Sequence, residues 1–169
     1  MRFASSFRAR GSVPILVAWF FSVLPVSWAG QPDATNGLVI VEFAGTHADI
    51  REQLVFSIEQ RGLAVSNVAP VGEMLSRTRT DFGVARDVYG AAEIVQFCSA
   101  RTAHAAARVD PRLLLICPYS IAVYTLADAP GRVYVGYRQP ALPGLGASAD
   151  AVLIQARTLL EEIVGGISP

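Results

Sequence analysis

Two cysteines, Cys98 and Cys117, and two histidines, His47 and His104, are all the thiols and imidazoles in this 169-residue chain. In an exported protein, two cysteines read most simply as one disulfide, here closing a loop of about 20 residues and stabilising by roughly 3 kcal/mol in the chain-entropy model. The bond requires Cα atoms within about 7 Å, which the sequence alone does not fix. Two inert buried thiols are the second reading. The third is functional. Cys98 stands just ahead of a predicted helix, where unpaired backbone N–H groups and the helix dipole favour a thiolate, as a nucleophile, redox thiol or metal ligand would need. His104 lies one to two turns into that helix, so Cys98, His104 and Cys117 form a candidate Cys2His set for a soft metal, copper or zinc. No Cys-x-x-Cys and no His-x-x-x-His supports it. His47, at the start of another helix, takes a capping or surface role.

The elements that must place these groups follow from local pattern. Ala92 to Phe97 reads as a strand, rich in β-branched and aromatic residues. Ser99 is an N-cap for a helix over Ala100 to Arg108. Asp110-Pro111 ends it, because a residue before proline is pushed out of the α region. The apolar run Leu113 to Cys117 predicts a strand buried on both faces. Pro118 interrupts that run, having no N–H for a ladder. Ser120 to Leu126 and Arg132 to Arg138 follow as strands, and Asp128-Ala129-Pro130-Gly131 between them makes an antiparallel hairpin.

Upstream, Leu38 to Phe43 is a strand. Thr46 opens a helix with Asp49 three residues on, and Ile50, Leu54 and Ile58 form its apolar stripe, thickened by Val55 and Phe56. Gly62 stops it, and Leu63 to Val71 is the next strand, so the chain opens as a β-α-β unit. Gly72 to Arg79 fits one or two helical turns anchored by Met74 and Leu75, and residues 81–90 read as loop. Downstream, residues 139–146 hold two prolines and two glycines and form a connecting loop. Ser148 or Asp150 caps a last helix running to about Val164. Its face of Val152, Leu153, Ala156, Leu159, Leu160, Ile163 and Val164 must pack on the sheet or on a partner. The fold class expected is α+β: a four- to six-stranded antiparallel sheet with two long helices on one face, a β-α-β start and a long C-terminal helix.

Residues 1–29 have the form of a Sec-type signal peptide. Arg2, Arg8 and Arg10 make a basic start, Val13 to Leu24 an apolar centre, and Ser27-Trp28-Ala29 a small-residue site predicting cleavage after Ala29. The apolar run is shorter than the about 20 residues of a membrane span, so no stable span is expected after cleavage; an uncleaved anchor is the alternative. The expected location is periplasmic or secreted. Residues 30–37 read as a flexible lead-in, and 38–169 as one α+β domain. Without the three leader arginines, eleven basic residues, none of them lysine, face fourteen acidic ones. A net charge of −3 argues against nucleic acid or an anionic membrane surface as partner.

Several short motifs lack their context. Asp81-Phe82-Gly83 spells a kinase tripeptide in a chain without lysine. Gly144-Leu145-Gly146 lacks the third glycine and the βα setting of a dinucleotide site. Ser99, Ser120 and Ser148 lie in no Gly-x-Ser-x-Gly elbow. Glu161-Glu162 reads as a solvated face. Tyr119, Tyr124, Tyr134 and Tyr137 cluster on the late strands. Core packing with hydroxyls at the rim is the plain account, and a ligand groove with Tyr119 and Tyr124 as its candidate residues is the other.

Gln96-Phe97-Cys98-Ser99-Ala100, the Asp110-Pro111 pair and the string from Cys117 to Tyr124 resemble the domain of unknown function 302, over roughly Leu38 to Gly165. The resemblance implies a small α+β domain with an antiparallel sheet, helices on one face and a homodimer, and no established reaction. Where relatives place the second cysteine after the proline, followed by a basic residue, this chain has Cys117-Pro118 and then Tyr119 and Ser120. It is a Cys-Pro variant, and no site is carried over. The function expected is an exported binding or accessory module without intrinsic catalysis, acting through a partner protein, a metal or a small ligand. The alternative is a thiol-redox or soft-metal-handling protein using Cys98 and Cys117.

Overall fold

The computed structural model describes residues 37–168; the signal peptide read over residues 1–29 and all but the last residue of the lead-in lie outside them. Five strands form one sheet: β1 (Leu38–Ala44), β2 (Val65–Ala69), β3 (Tyr89–Phe97), β4 (Tyr119–Leu126) and β5 (Arg132–Arg138). Their order is β1-β5-β4-β3-β2, and every neighbouring pair is antiparallel. The β-α-β opening therefore spans the sheet. β1 and β2 are its two edges, with three strands between them.

Alternation along the strands decides what the sheet faces. Val39, Phe43, Val95, Phe97, Ile121, Val123, Val133 and Val135 point to one side and are buried. Two helices cover that side. α1 (His47–Glu59) contributes Ile50, Leu54 and Ile58, and α4 (Ala147–Gly165) contributes Ala156, Leu160, Ile163 and Val164. The sequence counted Phe56 in the stripe of α1, but it is 59% exposed. Ser57 takes the inward position, donating from its hydroxyl to the Ile163 carbonyl at 2.7 Å and so tying α1 to α4. Thr46 caps α1 as expected, accepting from the Asp49 N–H. Neither Ser148 nor Asp150 caps α4; Gly146 is its N-cap, and its carbonyl accepts from Asp150.

α3 (Ala100–Val109) packs outside this layer. Ala106 joins Leu113 and the first half of α4 in a second, smaller cluster with Ala149, Val152 and Leu153. Here the predicted strand Leu113 to Cys117 is corrected: residues Pro111–Ile116 form a 3₁₀ helix. Asp110 caps it by accepting from the Arg112 N–H at 2.8 Å, and Pro111 presets its first turn. With three residues per turn, only every third side chain turns inward. Leu113 is buried and Ile116 half-buried, while Leu114 and Leu115 are 72% and 78% exposed. A continuous apolar run has no internal period by which these states could be told apart.

α2 (Val71–Thr78) buries no side chain, so Met74 and Leu75 do not anchor it. Its backbone does. At Gly72 a Cβ would stand 2.7 Å from the Ala92 nitrogen, so α2 lies against β3 just where β2 has ended. No described helix is long and apolar enough to cross a membrane.

Candidate functional site

Cys98 follows β3 and Cys117 precedes β4, and these strands are neighbours. That brings the two residues together: they form a disulfide with Cα atoms 5.8 Å apart, inside the range such a bond needs. Each is half-buried. Ser99 caps α3 as read, accepting from the Thr102 N–H. The trio Cys98, His104 and Cys117 is not assembled as a ligand set. The sulfurs are bonded to each other, His104 is exposed on α3, and no group of three or more His, Cys, Asp or Glu able to hold a metal occurs among the described residues.

Tyr119 and Tyr124 are five residues apart on one strand, an odd spacing, so they stand on opposite faces of the sheet. Tyr119 belongs to the helix-covered side. It is 4% exposed, its ring centroid is 5.5 Å from that of Phe97, and burial pushes its phenol up against the opposing effect of a hydrogen bond with Thr102. Tyr137 is on the same side, its phenol pushed up to about 12 by burial and then by the Glu161 carboxylate. Tyr124 is on the other face. It stacks on Tyr134 at 5.2 Å and 20°, and meets Tyr89 edge-on at 5.6 Å and 82°. Burial, and after it the neighbouring phenols of Tyr89 and Tyr134, raise the Tyr124 phenol.

The strand register builds a shallow trough beside this aromatic group. One cross-strand row runs Ile40, Gly136, Ala122, Ile94 over β1, β5, β4 and β3. Its middle members are the two smallest available, so the row dips between two isoleucines. Gly136 fits closely: a Cβ there would stand 3.2 Å from the Val39 carbonyl oxygen and 3.3 Å from a side-chain carbon of Ile40, so its neighbours would have to give by a few tenths of an ångström. Tyr124 closes one end, and Ser120 and Arg138 the other, around about 290 Å³. Leu38 and Ile40, at the edge, are 39% and 44% exposed.

Sequence reasoning missed one polar cluster on the helix-covered side. Glu93 points inward at the rim of the core, where α1 begins. Arg51 Nε lies 3.2 Å from its carboxylate and His47 Nε2 3.9 Å from it. His47 also sits 3.2 Å from the Val123 carbonyl, to which its Nε2–H can donate. His47 is therefore more than a capping or surface residue: its side chain is 16% exposed and reaches across to β4. The alternation of β3 pointed Glu93 inward, but only the packing of α1 supplied its partners.

A family model described as "Domain of unknown function DUF302" matches residues 39–164. Among solved structures, the chain is similar to that of an uncharacterized conserved protein DUF302 from Bacillus stearothermophilus, at 16% identity and a TM-score of 0.62, covering 78% of this chain and 98% of that one. At this identity the likeness shows the fold. No curated protein matches the chain.

Proposed function

The chain belongs to the family described as domain of unknown function DUF302, and from that premise we propose that it is an exported binding module without catalysis of its own, taking a small apolar ligand on the open face of its sheet. One observation carries this reading. The helices cover one face, and the other presents a preformed trough lined by Ile40, Ala122, Ile94 and Gly136 beside Tyr124. Ligand sites are concave, largely apolar and supplied with a few polar groups, and this one is at the small end of the usual size range.

Export is supported by the leader-like residues 1–29 and by the disulfide, since such bonds persist in oxidising compartments. The half-buried Cys98–Cys117 bond supports a structural role for the cysteines and leaves neither of them a free thiolate to ligate a soft metal. A homodimer is the second reading of the same face, favoured by the exposed Leu38 and Ile40 on edge strand β1.

Amide NMR of the protein purified from the exported fraction, titrated with a library of small aromatic and aliphatic compounds, tests the proposal. Shifts confined to residues 38–44, 89–97, 119–126 and 132–138 are expected. Shifts centred on residues 98–117, or none from any compound, would sink it. An N-terminus at Gly30 is expected by sequencing. A dimer that Ile40→Glu converts to monomer would establish the second reading.

A further inference from the structure

We infer that the trough selects a small monocarboxylate with a flat apolar body, its carboxylate seated on Arg138 and Ser120 and its body lying over Ala122 between Ile40 and Ile94. This rests on the reading of the open face as the ligand site and adds the class of ligand.

Charge at the two ends of the open face carries the argument. Arg132 and Glu42, in the direction of the tyrosine end, neutralise each other at 3.3 Å. Arg138 lines the opposite end of the trough, is exposed, and makes no ion pair with a described residue. Its guanidinium can hold a carboxylate through two parallel hydrogen bonds. Ser120, also lining the trough, accepts at its hydroxyl oxygen from Gln96 Nε2 at 3.2 Å, which leaves the hydroxyl hydrogen to donate to an anion. The remaining lining is aliphatic or aromatic.

Shape sets the rest. The floor is low because Ala122 carries only a methyl group and Gly136, buried with the Ile40 side chain leaning toward it, has none, while Ile40 and Ile94 rise on either side. A flat body fits between them, with the Tyr124 ring at its far end. One cation suits one negative charge. A dianion would leave its second charge against aliphatic walls, where desolvation is unfavourable. A neutral ligand would leave Arg138 without a counter-charge.

Phenylacetate and its neutral counterpart phenylacetamide separate the two levels of the argument. In an amide-NMR titration of the exported protein, phenylacetate is expected to shift Ser120, Ala122, Gly136 and Arg138 and to bind about tenfold tighter than the amide, as one charge-assisted contact allows. Arg138→Gln should abolish that preference while keeping the weak apolar binding. Ala122→Leu, which fills the floor from the solvent side, should abolish binding of both, and an unchanged melting temperature shows that it folds.

Equal affinity for acid and amide, or an acid preference that survives Arg138→Gln, overturns the carboxylate inference and leaves the open-face reading standing. Binding of neither compound at millimolar concentration overturns the monocarboxylate inference alone, whereas binding that shifts other residues, or a face occluded by a second copy, overturns both.

Discussion

Tyr124 on β4 and Tyr134 on β5 face each other directly across the strand register, their rings 5.2 Å apart and 20° from parallel. The pair stands on the open face, so it stabilises the sheet without help from the helix layer. Cross-strand aromatic pairs contribute about 0.5–1.5 kcal/mol beyond their buried area. A double-mutant cycle with Tyr124→Ala and Tyr134→Ala should return a coupling of about 1 kcal/mol by denaturant unfolding. A coupling near zero would mean that solvent separates the rings.

The Cys98–Cys117 bond joins the end of β3 to the start of β4 around α3 and the 3₁₀ turn. Closing a loop of this size is expected to contribute about 3 kcal/mol. The double variant Cys98→Ser, Cys117→Ser should lose that much and keep the fold. Labelling of the native protein by a thiol reagent should require reductant first; rapid labelling without it would return the thiols to the functional reading.

Tyr137 has a buried hydroxyl with no hydrogen-bond partner among the described residues. Its phenol is held up to about 12 by burial and by Glu161, against about 10 in an unfolded chain. The folded state thus favours the neutral phenol. The resulting stabilisation is fully present below pH 10 and is lost as the pH rises through about 12. Tyr137→Phe removes the titrating group, so its stability should fall less steeply between those limits. Equal slopes for the two proteins would refute the assignment.

Leucines divide by position rather than by type. Leu160 on α4 is 1% exposed in the main core, whereas Leu115 on the 3₁₀ turn is 78% exposed. Leu160→Ala should destabilise by about 2–5 kcal/mol. Leu115→Ala should stay within about 0.5 kcal/mol. A large loss at Leu115 in dilute solution would show that the turn is covered in the native assembly.

Much of the frame was legible in the residues. Alternation placed β4, β5 and most of β3, the stripe of Ile50, Leu54 and Ile58 oriented α1, and Thr46 and Ser99 announced their helices through local capping chemistry. These signals are short-range, so a single chain carries them. The run Leu113 to Cys117 failed because unbroken hydrophobicity has no period, and the Asp110 cap with Pro111 decided for a 3₁₀ turn. Local sequence likewise could not show that α2 docks through the backbone at Gly72.

The candidate site was legible only in fragments. The sequence supplied two cysteines, a set of late tyrosines, and a glycine and an alanine on separate strands. Strand order and register alone decided that the cysteines meet, which face of the sheet the helices leave open to Tyr124, and that Ile40, Gly136, Ala122 and Ile94 form one row. The physical reason is that side-chain direction follows from neighbours along the chain, whereas a cross-strand row joins residues up to about a hundred positions apart, through a register that the whole core fixes.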